Sequence, residues 1–397
     1  MQIQPQSTTT IVIGASMSTP TTLTYQHHTT IETLPLESGH TLPNATIAYE
    51  TWGNLNKHKD NAVLILHALT GDTHVAHNEH NTTYGWWEDL VGAGKTIDTN
   101  TYFVVAPNIL GGCNGSTGAH STHPHKQPPQ PWGSSFPKLT VRDTVHAEKH
   151  LAEALGITQW AHVIGGSLGG ARALEWAITY PENVRHCAVI ASGAYTTAEQ
   201  LAWAQAQNLA IRSDQHFYGG DYYDKQPPSQ GLGIARRIAH ITYRTSEELH
   251  TRFGRTQQTQ NSTQYSVESY MDYHAHKLVQ RFDANSYLSI NEILMSHDIT
   301  RNRGTLHQTL QRSQCTWTIA YVHNDRLFYP EQSHELARAL PQPVQAQAIY
   351  SPAGHDGFLL ETKQLQKILE PALKQGRKTH SQHEKETNPA SPPFTSQ

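Results

Sequence analysis

Charge is sparse in this chain: Asp, Glu, Lys and Arg make up 16% of 397 residues and sum to −4 with histidine neutral. So weak a field does not gather nucleic acid or an anionic membrane surface. Cysteine is rarer still. Cys113, Cys187 and Cys315 are an odd, widely spaced set. They form neither a disulfide framework nor a zinc-ligand spacing, no metal is expected, and a reducing, cytoplasmic setting is the simplest reading. Long apolar runs are missing as well. The first 56 residues hold no Lys or Arg and only one short apolar run, 11–13, so neither a secretory leader nor a membrane anchor is expected. Histidine, by contrast, is plentiful at 27 residues. Most are scattered, as are His74, His77 and His80, and are expected on the solvated surface, where mild acid would charge them.

The hydrophobic share of 37% still suffices for a large core. Residues 1–25 and 374–397 are polar, low in apolar content, and expected as disordered tails. Between them the periodicity alternates. Residues 30–36 and 46–52 read as two antiparallel strands around the turn SGHTLPN. Short apolar runs then follow at 62–66, 102–106, 162–164, 187–191, 317–322 and 344–350, the pattern of strands buried on both faces. Helical patterns lie between, at 141–155 and 168–180. The expected fold class is therefore α/β, a mostly parallel central sheet flanked by helices. Residues 195–307 break the rhythm. They are rich in Gln, Arg, His and Tyr and mostly helical, with pieces at 201–212, 267–283 and 287–297. They are expected as a helical lid inserted into a core made of 26–194 and 308–373.

The strongest local signal is Gly165-Gly166-Ser167-Leu168-Gly169, a G-x-S-x-G turn between an apolar strand and a helix. Glycines let the chain turn sharply and expose the Ser167 hydroxyl, while the first helical N–H groups face developing negative charge. No Gly-Lys-Ser/Thr follows these glycines, which excludes a phosphate-binding P-loop. A nucleophilic serine of this kind is followed in the chain by an acid and then a histidine. Asp325, in HNDR after the run 317–322, and His355, in SPAGHDGF after the run 344–350, stand in that order at strand ends. His355 is the candidate base and Asp325 its orienting acid. The backbone N–H groups of Leu69, in HALTGD (67–72), and of Leu168 are the candidate oxyanion donors.

Longer segments carry a resemblance. HALTGD, GWWEDLVGAGKTIDT (85–99), GGCNGSTG (111–118), FPKLTVRDTVHAEK (136–149), GGSLGGARALEWA (165–177), ARRIAHITYR (235–244), VESYMDYHAHKLVQRFDANSY (267–287) and GHDGFL (354–359) resemble the homoserine O-acetyltransferase family of methionine biosynthesis, especially its actinobacterial members. The segments at 235–244 and 267–287 are the most specific, because they lie in the insertion.

The resemblance implies an α/β-hydrolase fold, a homodimer through the lid, no bound cofactor, and acetyl transfer from acetyl-CoA to L-homoserine. It gives Ser167, Asp325 and His355 the triad roles, Arg236 the homoserine carboxylate, Tyr243 its support, Asp356 the ammonium, and Thr70 a place beside them. Leu168, Gly357 and Ala119 depart from the residues many members carry, the last in a segment expected near the acyl pocket. Homoserine O-succinyltransferases and serine acetyltransferases share the scaffold, and an esterase or thioesterase needs only the triad.

Overall fold

The computed structural model describes residues 25–259 and 262–387. Eight strands form one sheet: β1 (His27–Pro35), β2 (Thr41–Trp52), β3 (Ala62–Leu66), β4 (Phe103–Pro107), β5 (His162–Gly166), β6 (His186–Ile190), β7 (Thr316–Val322) and β8 (Gln347–Ile349). Their spatial order is β1-β2-β4-β3-β5-β6-β7-β8. β1 pairs antiparallel with β2, and β2 antiparallel with β4. From β4 to β8 every pairing is parallel.

The short apolar runs owe their lack of polar alternation to burial on both sides. In β3, Ala62, Leu64 and Leu66 belong to one hydrophobic core, while Val63 and Ile65 belong to the other. Helices α1 (Val141–Ala154) and α2 (Leu168–Thr179) cover the first face, with Val145, Leu151 and Leu174 in its core. Thr140 caps α1 in a capping box with Asp143. The second face is closed by Trp87 and by Leu365, Leu369 and Leu373 of the last helix.

Between β6 and β7 the chain leaves the sheet and forms α3 (Ala198–Arg212), α4 (Ser229–Tyr243), α5 (Ser246–Phe253), α6 (Ser266–Val279), α7 (Ala284–Met295) and the short α8 (Leu306–Leu310). α9 (Pro330–Ala339), α10 (Gly357–Leu360) and α11 (Thr362–Thr387) follow.

Three expectations differ from the structure. The turn expected at 38–44 is shorter, since Thr41–Asn44 already belong to β2, where Asn44 takes φ 49° without leaving the strand. The C-terminal tail expected from 374 starts inside α11, which runs to Thr387; the expected N-terminal tail lies outside the described residues except for its last residue, Tyr25. His74 is buried rather than solvated, because a buried acid is there to receive it: Nδ1 lies 3.0 Å from Glu50 Oε2 and Nε2 donates to the Thr83 carbonyl. Burial alone would lower its pKa, but the bond and charge of Glu50, the Thr83 carbonyl and the Asp72 charge together outweigh that and raise it. His77 and His80 do keep exposed side chains. Among the described residues no helix is long and apolar enough to cross a membrane.

Candidate active site

The C-terminal ends of β3, β5, β7 and β8 lie along one edge of the sheet, where an open α/β sheet binds ligands. β5 supplies the sharpest feature. Ser167 adopts φ 57°, ψ −124°, a region closed to most residues, and Leu168 opens α2 directly after it. The flanking glycines make this packing feasible. A Cβ on Gly165 would meet the Gly169 carbonyl oxygen at 2.0 Å, and one on Gly169 would meet the Leu66 carbonyl oxygen at 2.0 Å. The Ser167 N–H donates to the Ile190 carbonyl at 2.9 Å, tying the turn to β6.

The loops after β7 and β8 bring two side chains to Ser167. His355 Nε2 lies 2.8 Å from Ser167 Oγ, and His355 Nδ1 lies 2.6 Å from Asp325 Oδ2. The other oxygen, Oδ1, accepts the N–H groups of Leu327 (2.8 Å) and Phe328 (2.9 Å). All three side chains are buried. Burial would depress the imidazole pKa, but the Asp325 charge and hydrogen bond, with Asp356 adding to them, hold it above the ordinary histidine value. Phe328 stacks beside the ring at 5.3 Å between centroids. A serine hydroxyl, an imidazole primed to accept its proton, and a carboxylate fixing the tautomer make a unit for nucleophilic acyl chemistry.

Backbone amides are fixed nearby by their own carbonyls. In a trans peptide the N–H points opposite to the C=O. The Ala68 carbonyl accepts from His67 Nδ1 at 2.7 Å and from the Gly71 N–H at 3.0 Å, which sets the direction of the Leu69 N–H. The Ser167 carbonyl accepts from Ala171 N–H at 3.1 Å and sets that of Leu168. His67 can brace the loop because it is neutral. Its Nε2 accepts the Ile109 N–H at 3.0 Å, so the ring proton is on Nδ1, and burial, then the charge of Arg172, pushes its pKa down to about 3.

A cavity of about 280 Å³ opens over Ser167 and His355. Leu69, Thr70, Arg236, Tyr243 and Asp356 all line it, so the structure brings the sequence-derived candidates together, with the Leu168 amide directly behind Ser167. No residue of 111–119 lines it, so Ala119 is not part of the cavity wall. The Arg236 guanidinium carbon sits 5.5 Å from the Tyr243 ring centroid, and its Nε and Nη1 are buried without a hydrogen-bond partner among the described residues. Unpaired buried donors cost roughly 1–3 kcal/mol, and a planar donor fork on a cavity wall is matched by a carboxylate. Asp356, expected free for an ammonium group, has one oxygen engaged by Arg244 at 3.0 Å.

Reading the sequence for motifs missed three charged residues here. Asp72 and Arg281 also line the cavity; Arg281 Nη2 donates to the Thr70 carbonyl at 3.0 Å, and burial raises the Asp72 pKa. Arg244 is the third. All three lie inside segments that carry the family resemblance, so the signal was present but not resolved to single residues. Among the described residues no group of three His, Cys, Asp or Glu side chains could hold a metal ion.

Residues 61–362 match the family model of the alpha/beta hydrolase fold. Homoserine O-acetyltransferase from Thermobifida fusca is 50% identical over 352 residues, covering 87% of this chain and 92% of the relative. Among solved structures, homoserine O-acetyltransferase from Bacillus anthracis aligns with TM-score 0.80 at 26% identity, over 88% of this chain and 97% of that one. Esterase E22 aligns with the same TM-score at 23% identity, over 88% of this chain and 99% of that one, a likeness of fold.

Proposed function

The chain belongs to the homoserine O-acetyltransferases of the α/β-hydrolase fold, and from that premise we propose a two-step acyl transfer in which Ser167 carries the acetyl group from acetyl-CoA to the hydroxyl of L-homoserine. In the first step Ser167 Oγ attacks the thioester carbonyl while His355 takes its proton. The Leu69 and Leu168 N–H groups stabilise the oxyanion. The carbon–sulfur bond breaks, and His355 returns the proton to the departing thiolate. In the second step homoserine lies with its carboxylate on Arg236, supported by Tyr243, and its ammonium on Asp356, with Thr70 beside it. His355 removes the hydroxyl proton, the new ester bond forms, and the Ser167 ester breaks as His355 hands that proton to Ser167 Oγ, restoring the free enzyme. Kinetics are then ping-pong. The observation that carries this reading is the juxtaposition of a complete Ser–His–Asp unit with a guanidinium on the cavity wall whose Nε and Nη1 are buried and unpaired. A simple esterase has no use for that cation.

Thiol release from acetyl-CoA and from succinyl-CoA, each with and without L-homoserine, tests the scheme. Release that requires homoserine and prefers acetyl-CoA is expected. Preference for succinyl-CoA would keep the acceptor site and change the donor. Steady release indifferent to homoserine would mean hydrolysis and remove Arg236 and Asp356 from their roles.

Arg236→Leu should raise the homoserine KM by roughly 30- to 1,000-fold, the range for losing a buried charge pair of 2–4 kcal/mol. Its single-turnover acylation by acetyl-CoA should stay near wild type. Arg236→Lys should recover only part, because an ammonium cannot reproduce the fork.

We also propose a cytoplasmic homodimer formed through the inserted helices. The exposed side chains of Leu209, Ile234, Ile241 and Tyr273 on α3, α4 and α6 offer it apolar surface. Light scattering should give twice the 44.3 kDa chain mass.

A further inference from the structure

The C-terminal end of α4 is built onto the loop that carries His355. Gly354 adopts φ 63°, and a Cβ there would sit 2.7 Å from the Tyr243 carbonyl oxygen. Thr245 Oγ1 donates to the Pro352 carbonyl at 2.7 Å. Between these two contacts Arg244 reaches Asp356, with Nη2 3.0 Å from Oδ2, in an ion pair whose side chains are only 13% and 20% exposed. The guanidinium is held from its other side too, since Nη1 lies 3.3 Å from Glu248 Oε1, which also accepts from Arg252 at 2.8 Å. Arg244 is therefore fixed independently of anything in the cavity.

Its position answers a physical difficulty. A site for a zwitterion needs a cation and an anion facing one cavity, and in a poorly hydrated space these attract each other and close the site. Arg236 and Asp356 line the same cavity and feel each other's charge, yet they form no ion pair. The Asp356 carboxylate is instead turned toward Arg244, which leaves Oδ1 for a ligand.

We propose that Arg244 is a positioning residue for the acceptor step: it holds Asp356 away from Arg236 and presents Oδ1 to the ammonium group of the amino acid. This rests on the acyl-transfer reading above. It predicts that Arg244 serves the second half-reaction and leaves the first alone. In Arg244→Gln the carboxylate is released toward Arg236. The homoserine KM should rise at least 30-fold with kcat within about threefold, as expected for losing binding of an oriented charge. The single-turnover burst of thiol from acetyl-CoA, which needs only the triad, should stay within about threefold. Arg244→Lys, which restores the charge at that place, should recover most of the KM.

The outcomes separate cleanly. An Arg244→Gln enzyme whose burst falls by the same factor as its homoserine step would show that the latch serves His355, and the assignment would be overturned. So would an unchanged homoserine KM. If Arg244→Gln fails to fold, the Lys variant decides alone: a KM near wild type supports the assignment, and one as poor as that of Asp356→Asn overturns it. Wild-type protein that ignores homoserine would overturn the acyl-transfer reading itself, and with it this one, whatever the Arg244 variants do.

Discussion

Replacing Asp325 by asparagine should leave a folded protein whose turnover is lower on the order of 10⁴-fold. The geometry says why so small a change matters. Asp325 works with both oxygens: Oδ1 accepts two backbone N–H groups, from Leu327 and Phe328, and Oδ2 faces His355 Nδ1 at 2.6 Å. Asparagine has one oxygen. The two backbone donors select it for their side, because an amide NH₂ there would face two N–H groups. The NH₂ is then left pointing at Nδ1 and donates to it. Nδ1 must accept, the ring proton moves to Nε2, and Nε2 no longer accepts the Ser167 proton. The loss should appear in acylation, measured as the single-turnover thiol burst, with the thermal midpoint little changed. An Asp325→Asn enzyme within tenfold of wild type would remove Asp325 from the triad.

What the sequence disclosed about this arrangement follows the range of the interactions. The Ser167 turn is five consecutive residues, with Gly165 and Gly169 demanded by carbonyls and Gly166 by the Phe358 ring, and so it is legible as a motif. The run 62–66 coincides with β3 because a strand buried on both faces is apolar at every position. Asp325 and His355 were reachable only through chain order and strand ends. The Arg244–Asp356 pair joins residues far apart in the chain, with nothing in either neighbourhood to announce the other. α4 was read only as part of a helical insertion, since Ser229-Gln230-Gly231-Leu232-Gly233 looks like a break. The structure gives Gly231 a packing reason: a Cβ there would meet the Ala210 carbonyl oxygen at 2.5 Å, so the glycine lets α4 lie directly on α3. The buried His74 is illegible for a like reason, as it lies in a loop and its partner Glu50 lies on β2.

The second large effect concerns stability rather than chemistry. Arg172 and Glu148 face each other between α2 and α1, with side chains 0% and 2% exposed. Arg172 Nε donates to Glu148 Oε1 at 2.8 Å, Nη2 donates to the same oxygen, and Trp176 Nε1 donates to Oε2 at 2.6 Å. Arg172→Met should cost about 3–5 kcal/mol, because it leaves a carboxylate buried without its counter-charge. Arg172→Met with Glu148→Leu should recover much of that, since no charge then remains to be desolvated.

The deficit should also depend on pH. Burial pushes the Glu148 carboxyl up, and the Arg172 charge pulls it back part of the way. Without Arg172 the folded-state pKa rises further above the unfolded value. The native form then keeps a proton that the unfolded chain has released, so its stability falls as pH climbs from the ordinary carboxylate range toward the raised value. Urea denaturation of Arg172→Met should therefore show a larger deficit at pH 8 than at pH 5.5, while the double variant shows none of this slope. A deficit independent of pH would mean that the loss comes from packing around Trp176 and not from the stranded charge. Because α2 begins at Leu168, directly after Ser167, this pair anchors the helix whose first turn forms the nucleophile's bend. Activity per folded molecule should nonetheless survive in Arg172→Met, since the bend is also held by the Ser167–Ile190 bond and by Gly169, packed against the Leu66 carbonyl.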